Sequence, residues 1–210
     1  MVDLNRYFQP DLLPGSAPTY SGSRFEGLAG GGDRPAAADR ITSDDIIAVS
    51  LLAVDVPGDV SLKLLEGPLG KDVARWLALV PRDLAIHEAG AREALGRHGA
   101  AWMAWDLLDE PHDMGPTKVS KLLARKRPGL VPVWDDVVRC VVGQPAHPWA
   151  QMCEWFADGR LHDRLIAVGQ EAGVPAHVTP LRMLDVVLWM RHRVIHSKSR
   201  CPGPAAPRPS

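Results

Sequence analysis

A chain of 210 residues with 46% hydrophobic content can bury one sizeable core, with room for a small second lobe. A formal net charge of −1 excludes a global field that would pull the protein onto nucleic acid, so any such affinity must come from a local patch. Three cysteines, Cys140, Cys153 and Cys201, are too few and too scattered for a disulfide framework or a four-cysteine site.

Residues 1–40 lack hydrophobic periodicity and are rich in Gly, Pro, Ser and Ala, which predicts an irregular arm draped on the domain or partly disordered. Within it, Gly30-Gly31-Gly32-Asp33 is either a flexible linker or a possible ligand loop, in which Arg24, Gly31 and Asp33 meet a bound group. No buried strand precedes it, so it is not a Rossmann or P-loop motif. The helical domain, 41–196, begins at Thr42-Ser43-Asp44-Asp45, a capping-box-like start with carboxylates in the first turn. The apolar run from Ile46 to Val54 reads as a central helix ended by Pro57-Gly58. Shorter helices follow after Asp59 and from Gly70. An exposed helix is expected over 83–96, then a buried one from Ala100 to Leu108.

Met114-Gly115-Pro116 predicts a tight turn, since Gly accepts φ > 0 and Pro suits a first helical position. The helix from Thr117 to Arg127 places Val119, Leu122 and Leu123 at helical spacing among Lys118, Lys121, Arg125, Lys126 and Arg127. A helix N-terminus beside dense positive charge suits a phosphate. Asp135 opens a short helix ended by Gly143. Helices are also expected from Pro148, after Gly159, and from Thr179-Pro180, an N-cap followed by proline. Residues 197–210 read as a disordered tail. No segment alternates like a strand, so the fold class is all-α, a multi-helix globular domain.

The stretch from Asp109 to Arg139 resembles the helix-hairpin-helix element of DNA glycosylases with a Gly/Pro-rich hairpin and a catalytic Asp. The resemblance lies in Met114-Gly115-Pro116-Thr117, Lys121-Leu122-Leu123 and Pro132-Val133-Trp134-Asp135. The wider pattern, with RFEGLAGGGDR and KLLARKRPGLVPVWD, looks like an actinobacterial family to which no function is attached. The glycosylase resemblance implies nucleic-acid binding, double-stranded DNA above all, through Gly115, Thr117, Lys118, Lys121, Arg125, Lys126, Arg127 and Arg139. It also implies base excision with Asp135 stabilising the sugar cation. Counted from Pro132-Val133, the family's Asp falls on Trp134, and Asp135 comes into register after a shift of one residue. The lysine of the bifunctional members falls on Thr117, so lyase activity is not expected. Some relatives carry an iron–sulfur cluster, for which this chain lacks the cysteines; no cofactor is expected.

Each assignment has a plainer counterpart. Asp135 can be only an N-cap, and Arg125 to Arg127 can serve only the helix dipole. Trp134 can stack on an extruded base or simply pack. His192 and His196, spaced i, i+4, lack the Glu of HExxH and have Arg191, Arg193 and Lys198 nearby; they read as a solvated helix end, and no metal is expected. The alternative function is a non-catalytic helical domain binding a small molecule or a protein. Without an apolar leader or span, the expected location is cytoplasmic.

Overall fold

The computed structural model describes residues 1–143, 145, 147–196 and 201. Among them are eleven α-helices and no strand. In chain order these are α1 (Val2–Phe8), α2 (Ser43–Ser50), α3 (Gly58–Leu65), α4 (Pro68–Leu77), α5 (Ala91–Leu95), α6 (Ala100–Asp109), α7 (Gly115–Lys126), α8 (Asp136–Val142), α9 (Pro148–Phe156), α10 (Arg160–Glu171) and α11 (Pro180–His192). The tail expected over 197–210 lies outside the described residues except for Cys201. No described helix is long and apolar enough to cross a membrane.

The central helix is α7, not α2. From Val119 to Lys126 every residue of α7 is buried, the signature of a helix packed on all sides. Its apolar side chains sit at 0–1% exposure (Val119, Leu122, Leu123), and α2 and α6 pack against it. By contrast α2 leaves Ile47 exposed and stops at Ser50. Ser50 Oγ donates back to the Ile47 carbonyl (2.7 Å), and Ala53 enters the left-handed region (φ 59), so the apolar run to Val54 turns rather than continuing as helix. The helix expected over 83–96 shrinks to α5. The Ile86 amide donates to the Gly129 carbonyl (2.8 Å), a tertiary bond that replaces the helical one.

The N-terminal arm is an integral layer. It carries α1 and 3-10 turns at Ser21–Arg24 and Leu28–Gly30, and it buries Leu4, Tyr7, Phe8 and Phe25 in the common core. Here α1 packs on α11, while Phe25 lies under the guanidinium groups of Arg125 (5.9 Å) and Arg182 (5.6 Å). Gly32 allows the arm to lie against α7: a Cβ there would stand 2.4 Å from the Arg125 carbonyl oxygen and 2.7 Å from Asp45 Oδ1.

At the hairpin, Asp113 and Gly115 both have positive φ (66 and 68), which turns the chain sharply between α6 and α7. Further on, α8 opens on Asp135, whose Oδ1 accepts from the Val137 (3.0 Å) and Val138 (2.9 Å) amides, and it ends at Gly143. Likewise α11 opens on Thr179, whose Oγ1 accepts from the Arg182 amide (3.3 Å). Both starts follow the sequence reading.

Candidate functional site

The expected basic surface on α7 is an interior ion network. Arg125, Lys126 and Arg127 are 2%, 0% and 1% exposed, so none of them can reach a phosphate backbone. Asp45, fully buried, pairs with Lys126 Nζ (2.8 Å) and Arg125 Nε (3.3 Å), while its Oδ2 also accepts from the Thr42 amide (2.9 Å). Arg125 donates further to the carbonyls of Phe25, Glu26 and Leu28, stapling the arm to α7. Arg127 donates to the carbonyls of Val80 (3.0 Å), Ala38 (2.8 Å) and Leu77 (2.6 Å), and to Asp39 Oδ1 (2.6 Å). Burial lowers the pKa of all three cations, and the facing Asp45 and Asp39 carboxylates oppose that shift.

Of the remaining predicted contacts, Lys118 Nζ donates to the Asp113 carbonyl (2.6 Å), and exposed Arg139 pairs with Asp136 (2.9 Å). The α7 N-terminus has no side-chain cap and carries Gly115 and Thr117 beside Lys118. Trp134 is 5% exposed, and its amide donates to Ser120 Oγ (3.0 Å), which makes it core rather than a stacking platform. The glycine loop is split. Gly31 and Asp33 line a cavity of about 350 Å³ with Glu26, Arg125 and His177, whereas Arg24 lies outside its lining and is exposed. His192 is buried (5%), not a solvated end, and burial raises the Cys153 thiol.

A second pocket, of about 360 Å³, gathers most of the unusual chemistry. Its walls come from the arm (Tyr7 and residues 19–22), the turn after α2 (51–54), α7 (Thr117, Lys121), the start of α8 (Asp135, Asp136) and α11 (Arg182, Asp185, Trp189). Lys121 is buried, and its Nζ donates to the Leu52 carbonyl (2.9 Å). Burial pulls its pKa below the ordinary lysine value, and the Asp135 and Asp185 carboxylates pull it back up. The Asp135 side chain spends Oδ1 on the α8 cap, which leaves Oδ2 outside the cap.

Arg182 organises the pocket floor. It donates to Asp185, to the Tyr7 hydroxyl (2.8 Å) and to the Gly22 carbonyl (3.2 Å). Its Nε lies 2.7 Å from Glu26 Oε1, but neither atom has a hydrogen-bond partner, so this contact is Coulombic and out of line for a bond. Burial alone would lower the Arg182 pKa; Asp185, Glu26 and Tyr7 carry it well above the ordinary value. Burial raises the Tyr7 hydroxyl to about 12 and raises the Glu26 carboxyl from its ordinary value, with Arg182 opposing both. At the mouth, Tyr20 stacks on Tyr7 (centroids 5.1 Å apart) and meets Trp189 edge-on (6.0 Å).

Asp185 makes the pocket sensitive to pH. Burial raises its carboxyl from 3.8 to about 7, against the pull of Arg182. Between those values the folded state holds more protons than the unfolded chain, so stability falls as pH rises through the window. Urea midpoints measured across pH 4–7 are expected to show this decline in the wild type. Asp185→Asn, whatever its constant cost, should make it shallower, the remainder coming from Glu26, whose carboxyl burial also raises. An unchanged slope in the variant would remove Asp185 as the source.

The sequence reading missed Tyr7, Tyr20, Arg182, Asp185 and Trp189. A signal was present for two of them: Arg182 and Asp185 are charges three residues apart inside an otherwise apolar stripe, a spacing that puts both on one face.

Together the described residues define an all-helical domain built around an internally ion-paired helix, with an aromatic-rimmed pocket that gathers buried charged side chains. The chain belongs to a family of unknown function, DUF6308, whose model matches residues 1–192. Comparison with curated proteins and with solved structures gave no match.

Proposed function

We propose that the protein is a glycosylase-like enzyme whose pocket takes one nucleobase-sized group and whose Asp135 faces the attached sugar. The observation that carries this reading is Asp135 at the start of α8, on the wall of the pocket that also holds Lys121. The volume, about 360 Å³, falls at the small end of ligand pockets, roughly 300–1,000 Å³, a size that suits a base or nucleoside. Tyr20 and Trp189 supply flat apolar contact, and the uncapped α7 N-terminus with Lys118 lies beside Thr117 on the pocket wall, suited to a flanking phosphate.

In this reaction the N-glycosidic bond breaks with its electron pair leaving on the base nitrogen. The Asp135 carboxylate stabilises the positive charge left at the sugar carbon. Water adds there and gives up a proton, while the base takes one from solvent. Lys121, held at the Leu52 carbonyl, adds positive charge to the same wall, while the Asp135 carboxylate is oriented by its own cap on α8.

A second reading, a small-molecule pocket without nucleic acid, is favoured by one fact: Lys121, Arg125, Lys126 and Arg127 are internal, so α7 offers little positive surface beyond Lys118. Base release should be measured on uracil-, hypoxanthine- and alkylpurine-containing duplexes and on the corresponding free nucleosides. Asp135→Asn is expected to cost roughly 10²–10³-fold. Release from nucleosides alone would place the substrate outside nucleic acid. No release from any substrate, with duplex binding indifferent to salt and to Lys118→Ala, would leave the second reading.

A further inference from the structure

Away from the pocket mouth, four potential metal ligands converge where α8 meets the end of α11. Their ligand atoms, from Cys140, His192, His196 and Cys201, all lie within 4.8 Å of one another. His192 Nε2 stands 3.3 Å from Cys140 Sγ and 3.2 Å from Cys201 Sγ, and the two sulfurs are 3.4 Å apart. A tetrahedron built on Zn–S of about 2.3 Å and Zn–N of about 2.0–2.1 Å has edges of about 3.3–3.8 Å, close to these separations. The His196 ring lies 5.4 Å from that of His192, and both of its nitrogens are buried with no hydrogen-bond partner among the described residues. A buried imidazole with two unsatisfied nitrogens needs a partner, and a cation at the centre of the cluster supplies one.

We propose that these four residues form a closed zinc site. Two soft thiolates and two imidazoles in tetrahedral reach select zinc, and four protein ligands leave no open position, so the site is structural. Binding releases the two thiol protons, and two thiolates then balance the dication, leaving the site neutral. The two described arginines beside it on α11 and its end are engaged elsewhere. Arg191 is paired with Asp3 (3.0 Å), and the Arg193 guanidinium lies over Trp189 (4.8 Å) and Tyr20 (5.1 Å). The site joins α8, which opens on Asp135, to α11, which carries Arg182 and Asp185; zinc therefore braces two walls of the pocket whatever that pocket binds. The family match ends at His192, so two of the ligands, His196 and Cys201, lie beyond it.

The test uses the full chain, without a polyhistidine tag, purified under reducing conditions. About one zinc per chain is expected by elemental analysis, with a cobalt-substituted form showing tetrahedral ligand-field bands and thiolate charge transfer. Chelation should lower the melting temperature and added zinc should restore it. Cys201→Ser and His196→Ala, both at the end of the described chain, should each weaken binding by more than the roughly 10–100-fold that losing an outer partner costs. They keep the test open if Cys140→Ser, in the core, fails to fold. Substoichiometric metal in every preparation, a Cys140–Cys201 disulfide in the reduced protein, or a cobalt spectrum without thiolate bands would overturn the proposal.

Discussion

Replacing Asp45 with alanine is expected to destabilise the protein by about 3–5 kcal/mol, because it strands two buried cations at once. Lys126 Nζ and Arg125 Nε both rest on this carboxylate, and all three side chains are at most 1% exposed. Desolvating them is costly, and their mutual attraction offsets that cost only while the set is complete. Asp45→Asn keeps an acceptor for the Thr42 amide but loses the charge, so it should fall between wild type and Asp45→Ala. The double change Asp45→Ala/Lys126→Met removes one stranded cation along with its anion, and it should recover part of the loss. Urea unfolding of these four proteins and of Lys126→Met alone measures this directly. If the double variant is as unstable as the sum of its single changes, the interior pairing carries no such coupling.

Arg127 gives the second large effect, through geometry more than charge. Its guanidinium serves the carbonyls of Ala38, Leu77 and Val80 together with Asp39, which ties the arm and the end of α4 to the end of α7. Arg127→Ala leaves several buried carbonyls without a donor, each worth about 1–3 kcal/mol, and relaxation of the chain brings the expected total to about 3–5 kcal/mol. Arg127→Lys preserves the charge, yet a single ammonium cannot reach acceptors that a planar fork spans. It should lose at least about 2 kcal/mol by the same unfolding assay. A lysine variant as stable as wild type would show that charge alone suffices there.

These two side chains also mark where sequence reading stops. Local rules located much of the fold: the Thr42 capping box, the Thr179-Pro180 start of α11, the Gly143 end of α8 and the positive-φ Gly115 were all legible because each depends on residues within a few positions. The run KLLARKR is different. Its composition is that of a solvated or phosphate-facing helix, and only partners about 80–100 residues away, Asp45 and the carbonyls of the arm, make its burial affordable. The same holds at the pocket. Asp135 and Lys121 were singled out from a short stretch, but Tyr7, Tyr20 and Arg182 join them from both ends of the chain. The C-terminal cluster was hidden for a related reason: Cys140 and His192 are 52 positions apart and meet only once α8 packs on α11.

The arm's anchoring also has a consequence for synthesis. It leaves the ribosome well before the groups that hold it: Arg125 lies 100 residues beyond Phe25, and Arg182 lies 175 beyond Tyr7. At roughly 5–20 residues per second, Tyr7 waits about 9–35 s for its arginine. Through that interval α1, with Leu4, Tyr7 and Phe8, lacks α11, the helix on which it packs. The Gly- and Pro-rich composition around them, poor in β propensity, keeps the nascent segment from pairing with another chain while it waits.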